Sequence, residues 1–467
     1  MSAWGYFGIQ QEVSPQGLTP TSQAYPVIRL TGKNTAREVL MTEVPIQWLK
    51  NQHALENPKS KLAAELFPAG LPQQVRRLHS DIPGYRMSPL KSLPRLAQRI
   101  GVGGIWVKDE SARLTLNSFK VLGGAYAIYK KLLQRGGFSD QEMTLRDLLH
   151  LEGGRREKLG HPTFATATDG NHGTGVAWAA SKMGFPSVIY VHSLTTQDRI
   201  RGIQRQGGRV VVVDGNYDDA VRQASLDAQE NGWEVISDTS WDGYEDVPKW
   251  IMQGYATMFV EAQEQFAAQG IQRPTHLLVQ AGVGSLAAAA IGFYSVLFED
   301  NIPLSLVVEP TKAACLFDSM GIGDGKPHSV TGDLNTVMAG LACGDPNPIA
   351  WETLYNCADF FAKCPDYVAA KGMRVYSVPL TDDPFIVSGE SGAVTLGALM
   401  YLMEFEGARD LRDAMGLNQS SQVLLINTEG NTSPDEFRSV VWEGSLPVPE
   451  EYKIHAKEKE EDLLLEF

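Results

Sequence analysis

Lys108-Asp109-Glu110-Ser111-Ala112-Arg113-Leu114-Thr115-Leu116-Asn117-Ser118-Phe119-Lys120-Val121-Leu122-Gly123-Gly124 is the stretch whose reading decides the fold. The apolar run just before it, Gly104-Ile105-Trp106-Val107, predicts a strand. A short polar loop follows and then a helix rich in small residues, so Lys120 falls at the helix start with its amine able to face a cleft. A helix N-terminal field and a dry pocket both favour the free amine, the form that attacks an aldehyde. The plain alternative is a solvated lysine, and one lysine does not decide between them.

The bulk composition narrows the class. The chain has 467 residues, 43% of them hydrophobic and 21% charged, enough to bury one large core or two joined lobes. A formal charge of -14 argues against nucleic acid or an anionic membrane surface as partner, since either calls for a basic patch. The segment from Met1 to Tyr6 lacks the basic and apolar regions of a secretion signal, and the longest apolar run, Ser285 to Phe298, is too short to span a bilayer. It reads as a buried helix. The four cysteines, Cys315, Cys343, Cys357 and Cys364, show no CxxC pair and no neighbouring histidine spacing, so no metal is expected. A Cys315 to Cys343 bridge is open to them, with reduced core thiols the expectation where no secretion signal is read.

From Gly104 onward, apolar β-branched runs alternate with helical stretches: 186–191, 209–213, 275–280, 304–308 and 422–426. Continuous apolar strands between helices predict parallel sheets covered on both faces, with sites at the carboxyl ends of the strands. Residues 135–160 read as a polar, charged surface excursion around one helix-like patch, and 454–467 as a solvated or loosely docked helix.

Five motifs occur in order: the Ser118-Phe119-Lys120 stretch with Lys108-Asp109-Glu110-Ser111, Thr168-Asp169-Gly170-Asn171-His172-Gly173, Asp238-Thr239-Ser240-Trp241-Asp242-Gly243-Tyr244, Met338 to Gly344, and Ser388-Gly389-Glu390-Ser391-Gly392. Together with the glycine-rich turn Gln280-Ala281-Gly282-Val283-Gly284-Ser285, they resemble the fold-type II pyridoxal-phosphate enzymes, and within that group the diaminopropionate ammonia-lyases, from about Tyr85 to Trp442. The resemblance implies a two-lobed α/β protein, each lobe a mostly parallel twisted sheet flanked by helices. It divides the chain into a large domain at 1–132 and 256–467 with a small domain, 133–255, inserted into it. It also implies a cytoplasmic homodimer acting on a small amino-acid substrate.

The resemblance assigns roles as follows. Lys120 carries pyridoxal 5'-phosphate. Gly282, Val283, Gly284 and Ser285 hold the phosphate through backbone amides at a helix N-terminus. Asn171 meets the ring oxygen and Thr428 the ring nitrogen; a hydroxyl protonates a pyridine only weakly, which favours β-elimination over transamination or racemisation. Asp169 handles the Cα proton of the D-isomer and Lys120 that of the L-isomer, while Asp238 engages a substrate amine. Ser118, Trp241 and Tyr244 line the substrate pocket, and His172 is turn scaffold. The bland readings are an asparagine in a left-handed turn for Asn171, N-caps or structural ion pairs for the aspartates, and core aromatics for Trp241 and Tyr244.

The implied reaction is α,β-elimination of 2,3-diaminopropionate to pyruvate and two ammonia. Thr174 stands where the family turn commonly has arginine, Ser88 where Thr-Pro-Leu is usual, and Leu114-Thr115-Leu116 where Phe-Gly-Leu is usual. A dehydratase or β-replacement enzyme on another β-substituted amino acid remains open beside it, as does a non-catalytic regulatory protein on the same fold, against which the intact Lys120, Asn171 and glycine loop weigh.

Overall fold

The run Gly104–Asp109 forms a strand with all six residues buried, and the sheet is built around it. The computed structural model describes residues 45–56, 59–168 and 170–453. In chain order the strands are β1 (Gln47–Lys50), β2 (Leu90–Ser92), β3 (Gly104–Asp109), β4 (Phe164–Ala167), β5 (Ser187–His192), β6 (Arg209–Val213), β7 (Glu234–Val235), β8 (His276–Gln280), β9 (Leu304–Pro310), β10 (Phe360–Cys364) and β11 (Gln422–Asn427). They make a seven-stranded sheet in the order β1-β10-β9-β8-β11-β3-β2 and a four-stranded sheet in the order β6-β5-β4-β7.

Only the two edge pairings of the larger sheet, β1 with β10 and β2 with β3, are antiparallel. Every other ladder is parallel, as the unbroken apolar runs require of strands covered on both faces. The small sheet spans Phe164 to Val235.

Two buried helices carry the core beneath the site. Lys120–Gly136 lies against Asp246–Ala268, and glycines let the backbones meet. A Cβ on Gly123 would lie 2.6 Å from the Tyr255 ring, and one on Gly254 would lie 2.7 Å from the Leu122 carbonyl oxygen. Ahead of the first helix, the loop after β3 is fixed by a fully buried ionic network: Arg113 bridges Glu110 at 2.7 Å and Glu261 at 2.7 Å, and Lys108 meets Glu261 at 2.8 Å. Ser88 belongs to this network, donating its hydroxyl to Glu110 and its backbone N–H to Glu261 at 3.2 Å. The Lys108-Asp109-Glu110-Ser111 motif thus anchors the loop that delivers Lys120.

Residues 135–160 run mostly exposed over the surface, as their composition suggests, but with two short helices in place of one helix-like patch. They fold as helices Leu145–Leu149 and Gly153–Leu159 that bury Met143, Leu145, Leu148 and Leu159. The tail 454–467 lies outside the described residues. No helix among the described residues is long and apolar enough to cross a membrane, and no cluster among them could hold a metal ion.

Candidate active site

Parallel strands of both sheets end at one cavity of about 620 Å³. The turn after β3 brings Lys120, that after β4 brings Asn171 and His172, that after β7 brings Asp238, that after β8 brings Gly282 to Ser285, and that after β11 brings Thr428 and Glu429; all of these line it. This is where open parallel sheets place ligands, because backbone amides and helix N-termini converge there.

Lys120 is the first residue of its helix, and its Nζ lies 2.5 Å from Asp238 Oδ2. Burial alone would raise the Asp238 carboxyl; the opposing Lys120 charge, supported by His172, outweighs it and holds the group at about 2. The cavity floor therefore carries an ionised carboxylate against the lysine. Asp238 is positioned by its own carbonyl, which accepts from Ser285 Oγ at 2.8 Å and from Asn347 Nδ2 at 2.8 Å. His172 faces the Ile236 carbonyl at 2.8 Å, so its Nε2 carries the hydrogen. It joins the turn after β7 to its own helix, as scaffold.

The segment bearing Lys120 is tied to the turn after β11. Phe119 N donates to Thr428 O at 3.1 Å, Gly430 N donates to Asn117 O at 2.9 Å, and Ser118 and Glu429 form a short antiparallel bridge between them. Glu429 also reaches across the cavity wall, accepting from Asn171 Nδ2 at 2.5 Å and from Ser391 N at 3.2 Å. Thr174, in place of the usual arginine, closes the first turn of the Asn171 helix by donating to Gly170 O at 2.8 Å.

The glycine loop has the geometry of an anion cradle. Gly284 has φ +98, a conformation L side chains rarely adopt, and a Cβ on Gly282 would lie 3.2 Å from Leu341 Cα and 3.2 Å from Cys343 Sγ. The 13-residue helix Ser285–Leu297 begins here, and its first-turn N–H groups have no intrahelical acceptors. Gln280 Oε1 and Ser391 Oγ, on residues of the cavity wall, are buried without hydrogen-bond partners. A phosphate-bearing aromatic aldehyde fits this set: an amine, an amide-lined cradle that side chains would block, and polar groups around the ring position.

Three sequence candidates stand apart. Ser118, Trp241 and Tyr244 do not line the cavity. Ser118 Oγ accepts from Lys120 N at 3.3 Å. Trp241 stacks on Tyr244 with ring centroids 4.1 Å apart, and the Tyr244 hydroxyl is committed to the backbone of Val235 and Ser237. Asp169 lies outside the described residues. Sequence reasoning passed over Glu429 and Gln280 as site residues; their signal was position alone, one next to Thr428 and one at the carboxyl end of β8. No disulfide joins cysteines among the described residues, and burial pushes the Cys315 thiol upward.

A fold of this kind with this site defines a fold-type II pyridoxal-phosphate enzyme, and the family model described as pyridoxal-phosphate dependent enzyme matches residues 82–429. The chain belongs to that family, with pyridoxal phosphate as its cofactor, and within it groups with the diaminopropionate ammonia-lyases. It is 45% identical over 384 residues to the diaminopropionate ammonia-lyase of Salmonella typhimurium, covering 82% of this chain and 94% of that one. It is 46% identical over 383 residues to that of Escherichia coli, with the same coverage. Among solved structures it is similar to Escherichia coli diaminopropionate ammonia lyase in complex with D-serine, with TM-score 0.80 and 43% identity over 86% of this chain and 98% of that one. The same enzyme in complex with an aminoacrylate-PLP azomethine reaction intermediate gives TM-score 0.78 at 43% identity and the same coverage.

Proposed function

We propose that this protein catalyses the α,β-elimination of 2,3-diaminopropionate, which with one water yields pyruvate and two ammonia. The observation that carries the reading is the Lys120–Asp238 pair beside the glycine loop, in a chain this similar to diaminopropionate ammonia-lyases. Bound pyridoxal phosphate supplies the electrophilic aldehyde and the electron sink that makes Cα acidic. Gly282, Val283, Gly284 and Ser285 would hold its phosphate, Asn171 would meet the ring oxygen and Thr428 the ring nitrogen.

Lys120 Nζ removes the Cα proton of the L-isomer, and Asp238, 2.5 Å away, holds that nitrogen in place and offers its carboxylate to the substrate's second ammonium. Asp169 keeps its sequence assignment as the base for the D-isomer. The β-amine leaves as ammonia once the Cα electrons are available, and water then hydrolyses the released enamine. Asp238 is 4% exposed, so bulk water screens its charge little. The two-lobed division with a small domain at 133–255, cytoplasmic residence and a homodimer formed through the large lobe belong to the same reading and rest on family resemblance.

A second reading, elimination of water from serine, is favoured by the solved Escherichia coli relative in complex with D-serine. Substrate preference separates the two. Diaminopropionate should release pyruvate with a higher kcat/KM than serine, with no pyruvate from Lys120→Ala; serine as the better substrate, or an active Lys120→Ala enzyme, would sink the proposal.

A further inference from the structure

Gln280 closes β8 with its side chain completely buried. Its Nε2 donates to the Ile426 carbonyl at 3.0 Å and to Thr428 Oγ1 at 2.9 Å. The amide orientation is settled by the first bond, because a backbone carbonyl can only accept. Both hydrogens of Nε2 are then used, one on each oxygen. Thr428 Oγ1 is an acceptor towards Gln280, and the hydroxyl's own hydrogen has to point elsewhere. Thr428 is 4% exposed and lines the cavity, so the direction left for that hydrogen is the cavity side. The Gln280 Oε1, buried without a partner, is the unmet half of this arrangement: the amide sits where its nitrogen, not its oxygen, is served.

We infer that Gln280 is a positioning residue that fixes Thr428 as a hydrogen-bond donor to the cofactor's ring nitrogen and so keeps that nitrogen unprotonated. The inference rests on the reading of Thr428 as the ring-nitrogen partner. A hydroxyl whose lone pair is occupied by an N–H has only its proton to offer, and a protonated pyridine, itself a donor, would meet that proton head-on. The environment therefore opposes the pyridinium form. A less electron-poor ring delocalises the Cα electrons less, so they go instead to expelling the β-substituent, and elimination is preferred to reprotonation at Cα. A glutamate at 280 reverses the polarity: its carboxylate accepts the Thr428 hydrogen, the hydroxyl turns its lone pair to the cavity, and the pyridinium is then favoured.

The test loads apoenzyme with pyridoxal phosphate carrying 15N in the ring and reads the 15N resonance, which separates protonated from unprotonated nitrogen and which a merely structural role would not move. Wild type should show the unprotonated resonance across neutral pH. Gln280→Glu should move it towards the protonated position. Gln280→Leu, which removes the donor without adding a charge and decides the matter if the glutamate variant does not fold, should raise the pH at which the ring nitrogen protonates. If both Gln280 variants keep the wild-type resonance while Thr428→Ala changes it, the role of Gln280 is overturned and the Thr428 assignment stands. If Thr428→Ala also leaves it unchanged, or wild type is protonated, the Thr428 reading itself fails.

Discussion

The site turns on residues far apart in sequence, and that sets what single substitutions should do. Lys120 was legible from its strand-loop-helix setting, with the helix field and a dry pocket both favouring the free amine. The structure adds a carboxylate, Asp238, that favours the ammonium, across a sequence separation of 118 residues. No local pattern signals such a pair. Because Asp238 holds Lys120 as well as facing the substrate, Asp238→Asn should slow every substrate. Removing one partner of a buried pair costs about 3–5 kcal/mol, so kcat/KM on diaminopropionate should fall roughly a thousandfold. The loss on serine should be smaller, and equal losses would mean that Asp238 acts only through Lys120.

Glu390 gives a pH prediction at the same scale. Burial, reinforced by the neighbouring Glu429 charge, pushes its carboxyl from 4.5 up to about 8. Between those values the folded protein keeps a proton that the unfolded chain has released, so this group makes stability fall as pH rises through the window. Glu390→Gln should flatten the decline of Tm between pH 5 and 8, and an unchanged slope would contradict the assignment.

Among the elements, six parallel strands were readable because each is a short apolar run: β3, β5, β6, β8, β9 and β11 were located within a residue or two, whereas the four-residue β4, with Thr166 inside it, was not. β10 was missed because Lys363 interrupts Phe360-Phe361-Ala362, and β1, β2 and β7 are too short to carry a pattern. Within 135–160 one helix-like patch was legible where two short helices form, since a single apolar residue per turn suffices to dock a short helix whose composition reads as polar. The glycine loop was legible as a turn, but the wall that crowds it came from 340–343, distant in sequence. Gly282→Ala would press a methyl to 3.2 Å from the Leu341 backbone, displacing the loop from its ligand. Cofactor affinity, measured by equilibrium dialysis of the apoenzyme, should fall by at least about tenfold, a 1.4 kcal/mol change, while Tm moves little. Unchanged affinity would contradict the cradle.

At the scale of the molecule, the described residues fall within one compact unit, and both sheets contribute strand ends to the same cavity. The fold class was legible because composition, periodicity and ordered motifs agree. Assembly was not, since no stripe of sequence marks a contact face, and the homodimer is checked by light scattering at micromolar concentration, where a monomeric mass would refute it. Substrate identity is likewise a property of the assembled cavity, in which Lys120, Asp238 and Glu429 meet from three separate parts of the chain.

The most direct test is therefore a comparison of kcat/KM for pyruvate release from D- and L-2,3-diaminopropionate and a panel of other β-substituted amino acids that includes serine, using the purified holoenzyme. Diaminopropionate should be the best substrate in the panel; a higher kcat/KM on serine, or no pyruvate from diaminopropionate, would contradict the account.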